Sequence, residues 1–72
     1  MNRIGGNQMT INEFFKDHRN AVCFCIELYE VNENVYKDTD TQNVDNLPEE
    51  WKNAEVQNWY VGDNTFYIDV IK

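Results

Sequence analysis

Apolar residues recur along this chain with two different periods, and the change of period divides it into elements. Ile11, Phe14, Phe15 and His18 keep the i, i+3, i+4, i+7 spacing of one buried helical face. Thr10 and Glu13 form a capping box ahead of that face: the Thr10 hydroxyl accepts from the amide of residue 13, and the Glu13 carboxylate accepts from the amide of Thr10. Met9 and Phe14 occupy the two positions of a hydrophobic staple. The pattern predicts a helix of about three turns ending near Asn20. Residues 1–8, with two glycines and no periodicity, read as a flexible lead-in to a single domain over 9–72.

From Ala21 to Val31 the period becomes two. Val22, Phe24, Ile26 and Leu28 fall on one face of a strand, and Cys23, Cys25, Glu27 and Tyr29 on the other. Asn32, Glu33 and Asn34 form a polar turn, after which Val35-Tyr36-Lys37 returns as a short second strand. Residues 38–46 read as a polar connection. Pro48, Glu49 and Glu50 then suit the first turn of a short helix that points Trp51 inward. The stretch from Glu55 to Lys72 predicts a hairpin with a two-residue loop at Asp63-Asn64, pairing Val61 with Phe66, Tyr60 with Tyr67 and Trp59 with Ile68. The expected fold is α+β: one N-terminal helix packed on a four-stranded antiparallel sheet, with a short helical turn between the two hairpins.

Length and composition narrow the classes. Seventy-two residues hold one small core, here rich in aromatic side chains. Two cysteines cannot build the disulfide framework of a secreted miniprotein. On one strand, Cys23 and Cys25 would hold their Cβ atoms roughly 6 to 7 Å apart, beyond the roughly 4 Å of a disulfide. Free thiols fit a reducing cytoplasm, and the opening MNRIGGNQ lacks the apolar run of a signal peptide. No stretch approaches the roughly 20 apolar residues of a membrane span. Thirteen acidic against six basic residues give a net charge of −7, which disfavours binding to nucleic acid or anionic membranes and favours a basic partner surface.

Candidate chemistry is sparse. His18, the one histidine, has no nucleophile or metal cluster near it in sequence and reads as a structural residue at a helix end. Cys23 and Cys25 make half a zinc site at most. Asp38, Asp40, Gln42, Val44, Asn46 and Glu49 fall at EF-hand-like spacing, but Asn43 stands where the loop needs glycine and a strand precedes it. No cofactor motif and no catalytic set is legible, so the chain reads as a binding protein.

Two surfaces are candidates for binding. One is the outer sheet face, where Cys23, Cys25, Tyr29, Tyr60 and Tyr67 gather with Val56 and Ile71; tyrosine is enriched at interfaces. The other is acidic. Glu27, Glu30, Glu33, Asp38, Asp40, Asp45, Glu49, Glu50 and Glu55 offer carboxylates for mimicry of a nucleic-acid backbone. The residues singled out for partner binding are Asp38, Asp40, Asp45, Glu49, Glu50, Tyr29, Tyr60 and Tyr67.

The layout of MTINEFFK, a strand, and LPEEWKNAEVQNWYVGDNTFYIDV resembles small proteins encoded on phages and integrative elements of Gram-positive gut bacteria. The resemblance implies accessory work in a mobile element, with anti-CRISPR and other anti-defence inhibitors as a recurring class. Its expected partner is a host defence protein such as an RNA-guided nuclease. The alternative is an oligomeric DNA-acting protein that binds or nicks DNA with metal-assisted carboxylates. A homo-oligomer built through the outer face or a sheet edge is a third expectation.

Overall fold

The structure is a computed structural model and describes residues 9–18 and 25–72. In chain order the elements are α1 (Ile11–His18), β1 (Cys25–Glu30), β2 (Val35–Asp40), a 3-10 turn (Val44–Asn46), α2 (Glu49–Lys52), β3 (Glu55–Gly62) and β4 (Thr65–Ile71). The expectations for residues 1–8, for Val22, Cys23 and Phe24 and for the His18 side chain lie outside the described residues.

The capping box forms in both directions. The Thr10 amide donates to Glu13 Oε1 at 3.0 Å, and the Glu13 amide donates to Thr10 Oγ1 at 3.1 Å. These bonds satisfy amides that a helix N-terminus leaves without intrahelical partners. Ile11, Phe14 and Phe15 of α1 are buried, as the helical period requires.

Both hairpins form. Asp63 and Asn64 have φ of 53° and 63°, the left-handed pair of a type I′ turn. The pairs Val61–Phe66, Tyr60–Tyr67 and Trp59–Ile68 fall in the expected register. β2 extends to Asp40, opposite Cys25, so it runs three residues beyond the predicted Val35-Tyr36-Lys37. Asp38 and Asp40 are therefore strand residues, not loop residues. A polar strand is stable at that place because β2 is a sheet edge.

The expectation of a wholly antiparallel sheet under one N-terminal helix is corrected. The strand order is β2-β1-β4-β3, with β1 and β4 parallel, so the sheet is mixed. Burial explains the arrangement. Ile26 and Leu28 on β1, and Phe66, Ile68 and Val70 on β4, are each at most 1% exposed. Central positions remove these residues from water and leave the more polar β2 and β3 at the edges. β2 and β3 then run in the same direction, so residues 41–54 must cross the length of the sheet.

That crossing segment supplies the second part of the cover. Val44, Leu47, Trp51 and Ala54 all enter the same core as α1. Pro48 starts α2 with its carbonyl accepting from Trp51 and Lys52 at 2.9 and 3.0 Å. The sheet is thus covered on its inner face by two short helices. Phe14, Phe15, Phe66 and Trp59 meet edge to face or tilted, with ring centroids 4.9 to 5.9 Å apart. One further departure is local: a bulge between Val56 and Asn58 shifts the strand's phase. Val56, expected on the outer face, consequently packs against the core.

Candidate functional site

Alternation along the four strands sends one set of side chains away from the helices. The outward positions are Cys25, Glu27 and Tyr29 on β1; Tyr36, Asp38 and Asp40 on β2; Glu55, Asn58, Tyr60 and Gly62 on β3; and Thr65, Tyr67, Asp69 and Ile71 on β4. All four tyrosines of the chain and five carboxylates share this face, and no outward strand position carries Lys, Arg or His.

The register orders these groups into rows. Asp38, Glu27, Tyr67 and Tyr60 lie side by side across β2, β1, β4 and β3, and Tyr36, Tyr29, Asp69 and Asn58 form the next row. The aromatic pairs are in contact. Tyr60 stacks on Tyr67 with centroids 4.9 Å apart and planes 19° apart, and Tyr29 meets Tyr36 at 4.8 Å. The Tyr29 hydroxyl donates to Asn34 Oδ1 at 2.7 Å, which fixes that ring against the β1–β2 turn.

Glu27 stands directly opposite Asp38. Like charges at facing positions of a ladder are unfavourable by some tenths of a kcal/mol to about 1 kcal/mol. Both residues line two shallow depressions: one of about 250 Å³ that includes Cys25, Thr65 and Tyr67, and one of about 300 Å³ that includes Tyr36. The Cys25 thiol is free and exposed there.

The residues expected to bind a partner divide between two sides of the molecule. Tyr29, Tyr60, Tyr67, Asp38 and Asp40 come together on the outer sheet face. Asp40 has local work as well, since its Oδ1 accepts from the amides of Gln42 and Asn43 at 3.0 and 2.8 Å and turns the chain out of β2. Asp45, Glu49 and Glu50 are exposed on the crossing segment that covers the opposite face. Glu49 pairs with Lys52 at 3.6 Å, and Glu50 pairs with Lys72 at 3.5 Å. The EF-hand-like spacing is therefore not gathered, because Asp38 and Glu49 lie on different layers. Among the described residues, no group of three or more His, Cys, Asp or Glu side chains could hold a metal ion.

Tyr36 and Asp69 are members of the face that the sequence reading named for neither surface, and Glu27 and Glu55 were named among the acidic candidates but not among the residues singled out for partner binding. Tyr36 was legible in principle, because a turn at 31–34 pairs residue 36 with Tyr29. Asp69 was not, since its neighbour Tyr29 is set by the parallel contact of β1 with β4.

Among the described residues no helix is long and apolar enough to cross a membrane. Compared with known proteins, the chain matches no family model, no curated sequence and no solved structure.

Proposed function

We propose that this chain is a binding protein whose outer sheet face docks on a positively charged surface of another protein. The observation that carries the reading is the composition of that face: five carboxylates and four tyrosines with no basic side chain among them. Uncompensated carboxylates favour a basic partner and speed its encounter through long-range attraction. The tyrosines supply rigid contact area at low entropic cost and take up cation–π contacts with arginine. The Glu27–Asp38 opposition fits the same reading, since a partner cation between the two strands would turn a local repulsion into attraction.

Basic surfaces of this kind are the nucleic-acid grooves of DNA- and RNA-handling enzymes. The proposed target is therefore a host defence protein such as an RNA-guided nuclease, met in the bacterial cytoplasm, and the chain acts there as an anti-defence inhibitor. This agrees with the resemblance to mobile-element accessory proteins. The same carboxylates repel phosphates and so argue against direct DNA binding or nicking by this face.

The test is light scattering on a sizing column with a panel of host nucleases, with plasmid topology read from the same samples. A complex should form with one nuclease, weaken as salt is raised, and disappear in the double variant Glu27→Lys/Asp38→Lys. The control Asp45→Lys/Glu49→Lys, on the opposite layer, should still bind. Binding lost only in the control would move the site to the helical layer. Plasmid relaxation by the protein alone, with magnesium present, would replace the inhibitor reading with the DNA-acting one.

A further inference from the structure

The register sorts the carboxylates and tyrosines of the outer face into a line and two flanks. Above the row of Asp38, Glu27, Tyr67 and Tyr60 lies the row of Asp40, Cys25, Thr65 and Gly62. From Asp40 on β2, one strand over and one row down leads to Glu27 on β1. The same step leads on to Asp69 on β4 and, past the bulge, to Glu55 on β3. Each step is about 8 Å, from a strand spacing of about 4.8 Å and a two-residue advance of about 6.7 Å. Carboxylates thus form one diagonal across all four strands, with Asp38 beside its first half. Glu27 and Asp69, at its centre, lie on the two inner strands, away from both edges.

The tyrosines flank this diagonal in their two contacting pairs, Tyr29 with Tyr36 on one side and Tyr67 with Tyr60 on the other. Both pairs lean away from it. The hydrogen bond from the Tyr29 hydroxyl to Asn34 Oδ1 draws that ring toward the β1–β2 turn. On the other flank, Tyr67 Cε2 lies 3.8 Å from where a Cβ on Gly62 would stand, so the ring extends over bare backbone that a larger side chain would fill. A channel is left between the pairs. Its floor is acidic, its walls are aromatic, and the depression of about 250 Å³ between Glu27, Asp38, Thr65 and Tyr67 forms its upper end.

We propose that this channel receives one extended segment of the partner, about eight residues long, with Arg or Lys at alternate positions. The proposal rests on the reading of the face as a site for a basic protein and names the element that it recognises. Charge complementarity selects a cationic occupant, and width selects an extended one. Tyr29 and Tyr67 stand on backbones about 8 Å apart across the diagonal. An extended chain fits between them, whereas a helix, about 10–12 Å wide, would rest on the rings. Alternate side chains of an extended chain advance about 6.7 Å, and the long arms of Arg and Lys absorb the difference from the 8 Å steps. Guanidinium groups would then pair with Glu27 and Asp69 and lie against the tyrosine walls. A second copy of this chain is the wrong occupant, since its own face is acidic. Arg3 and Arg19 lie outside the described residues and are varied in the test.

The experiment is calorimetric titration of the purified chain, at low salt, with two peptides of the same composition: Arg and Thr in strict alternation, and the same residues in two blocks. The alternating peptide should bind with a dissociation constant on the order of 100 μM, about fivefold or more tighter than the block peptide. Asp69→Asn should weaken it about threefold or more, while Asp63→Asn, an equal loss of charge in the exposed hairpin loop, should leave it unchanged. Gly62→Val alters no charge but displaces the Tyr67 ring toward the diagonal, and should weaken the alternating peptide alone. Asp69→Asn keeps the proposal testable if Gly62→Val fails to fold. Equal binding of the two peptides, tighter binding by a helical peptide of the same charge, or no loss in Asp69→Asn would overturn the channel and leave the basic-partner reading standing. So would a nuclease complex formed by a chain that binds neither peptide. A tenfold gain on Arg3→Ala or Arg19→Ala would overturn it as well, by showing that the chain's own arginine fills the channel.

Discussion

The buried carboxylate of Glu30 accepts the backbone amide of Lys72 at 2.9 Å and so ties the last residue of the chain to the end of β1. Its other oxygen accepts from the Glu33 amide at 2.6 Å in the β1–β2 turn. The side chain of Lys72 completes the knot: its ammonium reaches Glu33 at 3.2 Å and Glu50 at 3.5 Å and lies 4.7 Å from the centre of the Trp51 ring. One end of the sheet, the first turn of α2 and the core tryptophan are therefore held by a single cluster. Glu30 is 2% exposed, and a carboxylate that deep persists because amide donors replace its water.

This cluster predicts how stability depends on acid. The Lys72 and Glu33 amide bonds, acting against burial, hold the Glu30 carboxyl below its ordinary value of 4.5. A carboxylate depressed in the folded state stabilises fully above its unfolded pKa, and that stability is lost as pH falls through the folded value. Thermal melts between pH 7 and pH 3 should show the loss below about 4.5. Glu30→Gln should melt lower than the parent at neutral pH and show a shallower acid dependence. An identical acid profile in parent and variant would remove Glu30 from this role.

The basic side of the same cluster acts in the opposite pH range. Burial lowers the Lys72 ammonium, but the hydrogen bond and charge of Glu33, with those of Glu50, outweigh it and hold the group above 10.5. Its stabilisation is present below that pH and is lost as pH rises through the folded value. Lys72→Met should keep the apolar contact with Trp51 and abolish this alkaline step in a pH-melt series.

Phe14 sits at the centre of the aromatic core, within 5.7 Å of the Phe15, Trp59 and Phe66 ring centroids. Phe14→Ala should cost about 3–5 kcal/mol. A domain of this size has only about that much to lose, so urea titration should find the variant largely unfolded without denaturant.

The hairpin offers a stabilising change. Asn64 has φ of 63°, a region that costs a residue with a Cβ about 1–2 kcal/mol if it is bulky and much less if it is Asn. Asn64→Gly should raise stability by up to about 1 kcal/mol and Asn64→Val should lower it by about 1–2 kcal/mol, read as opposite shifts of the urea midpoint.

The outer face should separate stability from binding. Because Glu27 and Asp38 oppose each other, Asp38→Lys should stabilise the domain by about 0.2–1 kcal/mol while weakening capture of a basic partner. Calorimetry and binding measured on the same variant decide the matter. A loss of both would mean that Asp38 serves the fold.

Local structure was legible because its causes are local. The Thr10–Glu13 box, the burial of Ile11, Phe14 and Phe15, the register of Tyr60 against Tyr67 and the inward turn of Trp51 all follow from spacing and turn chemistry within a few residues. The relations that decide the candidate site are not of that kind. Whether β4 or β3 meets β1 depends on which strands gain most from central burial and on a connection long enough to cross the sheet; neither hairpin carries that choice. Once β4 lies parallel to β1, Asp69 comes beside Tyr29 and Tyr67 beside Glu27, and two surfaces that looked separate in sequence join through Asp38 and Asp40. The bulge after Val56 and the reach of Lys72 back to Glu30 likewise depend on strand packing and on groups 42 residues apart. Sequence by itself therefore determined the elements, their turns and the inner and outer sets of each hairpin, apart from Val56 and the second half of β2. Tertiary packing decided their order in the sheet, because burial of the whole apolar set is a property of the assembled layer and of no single segment.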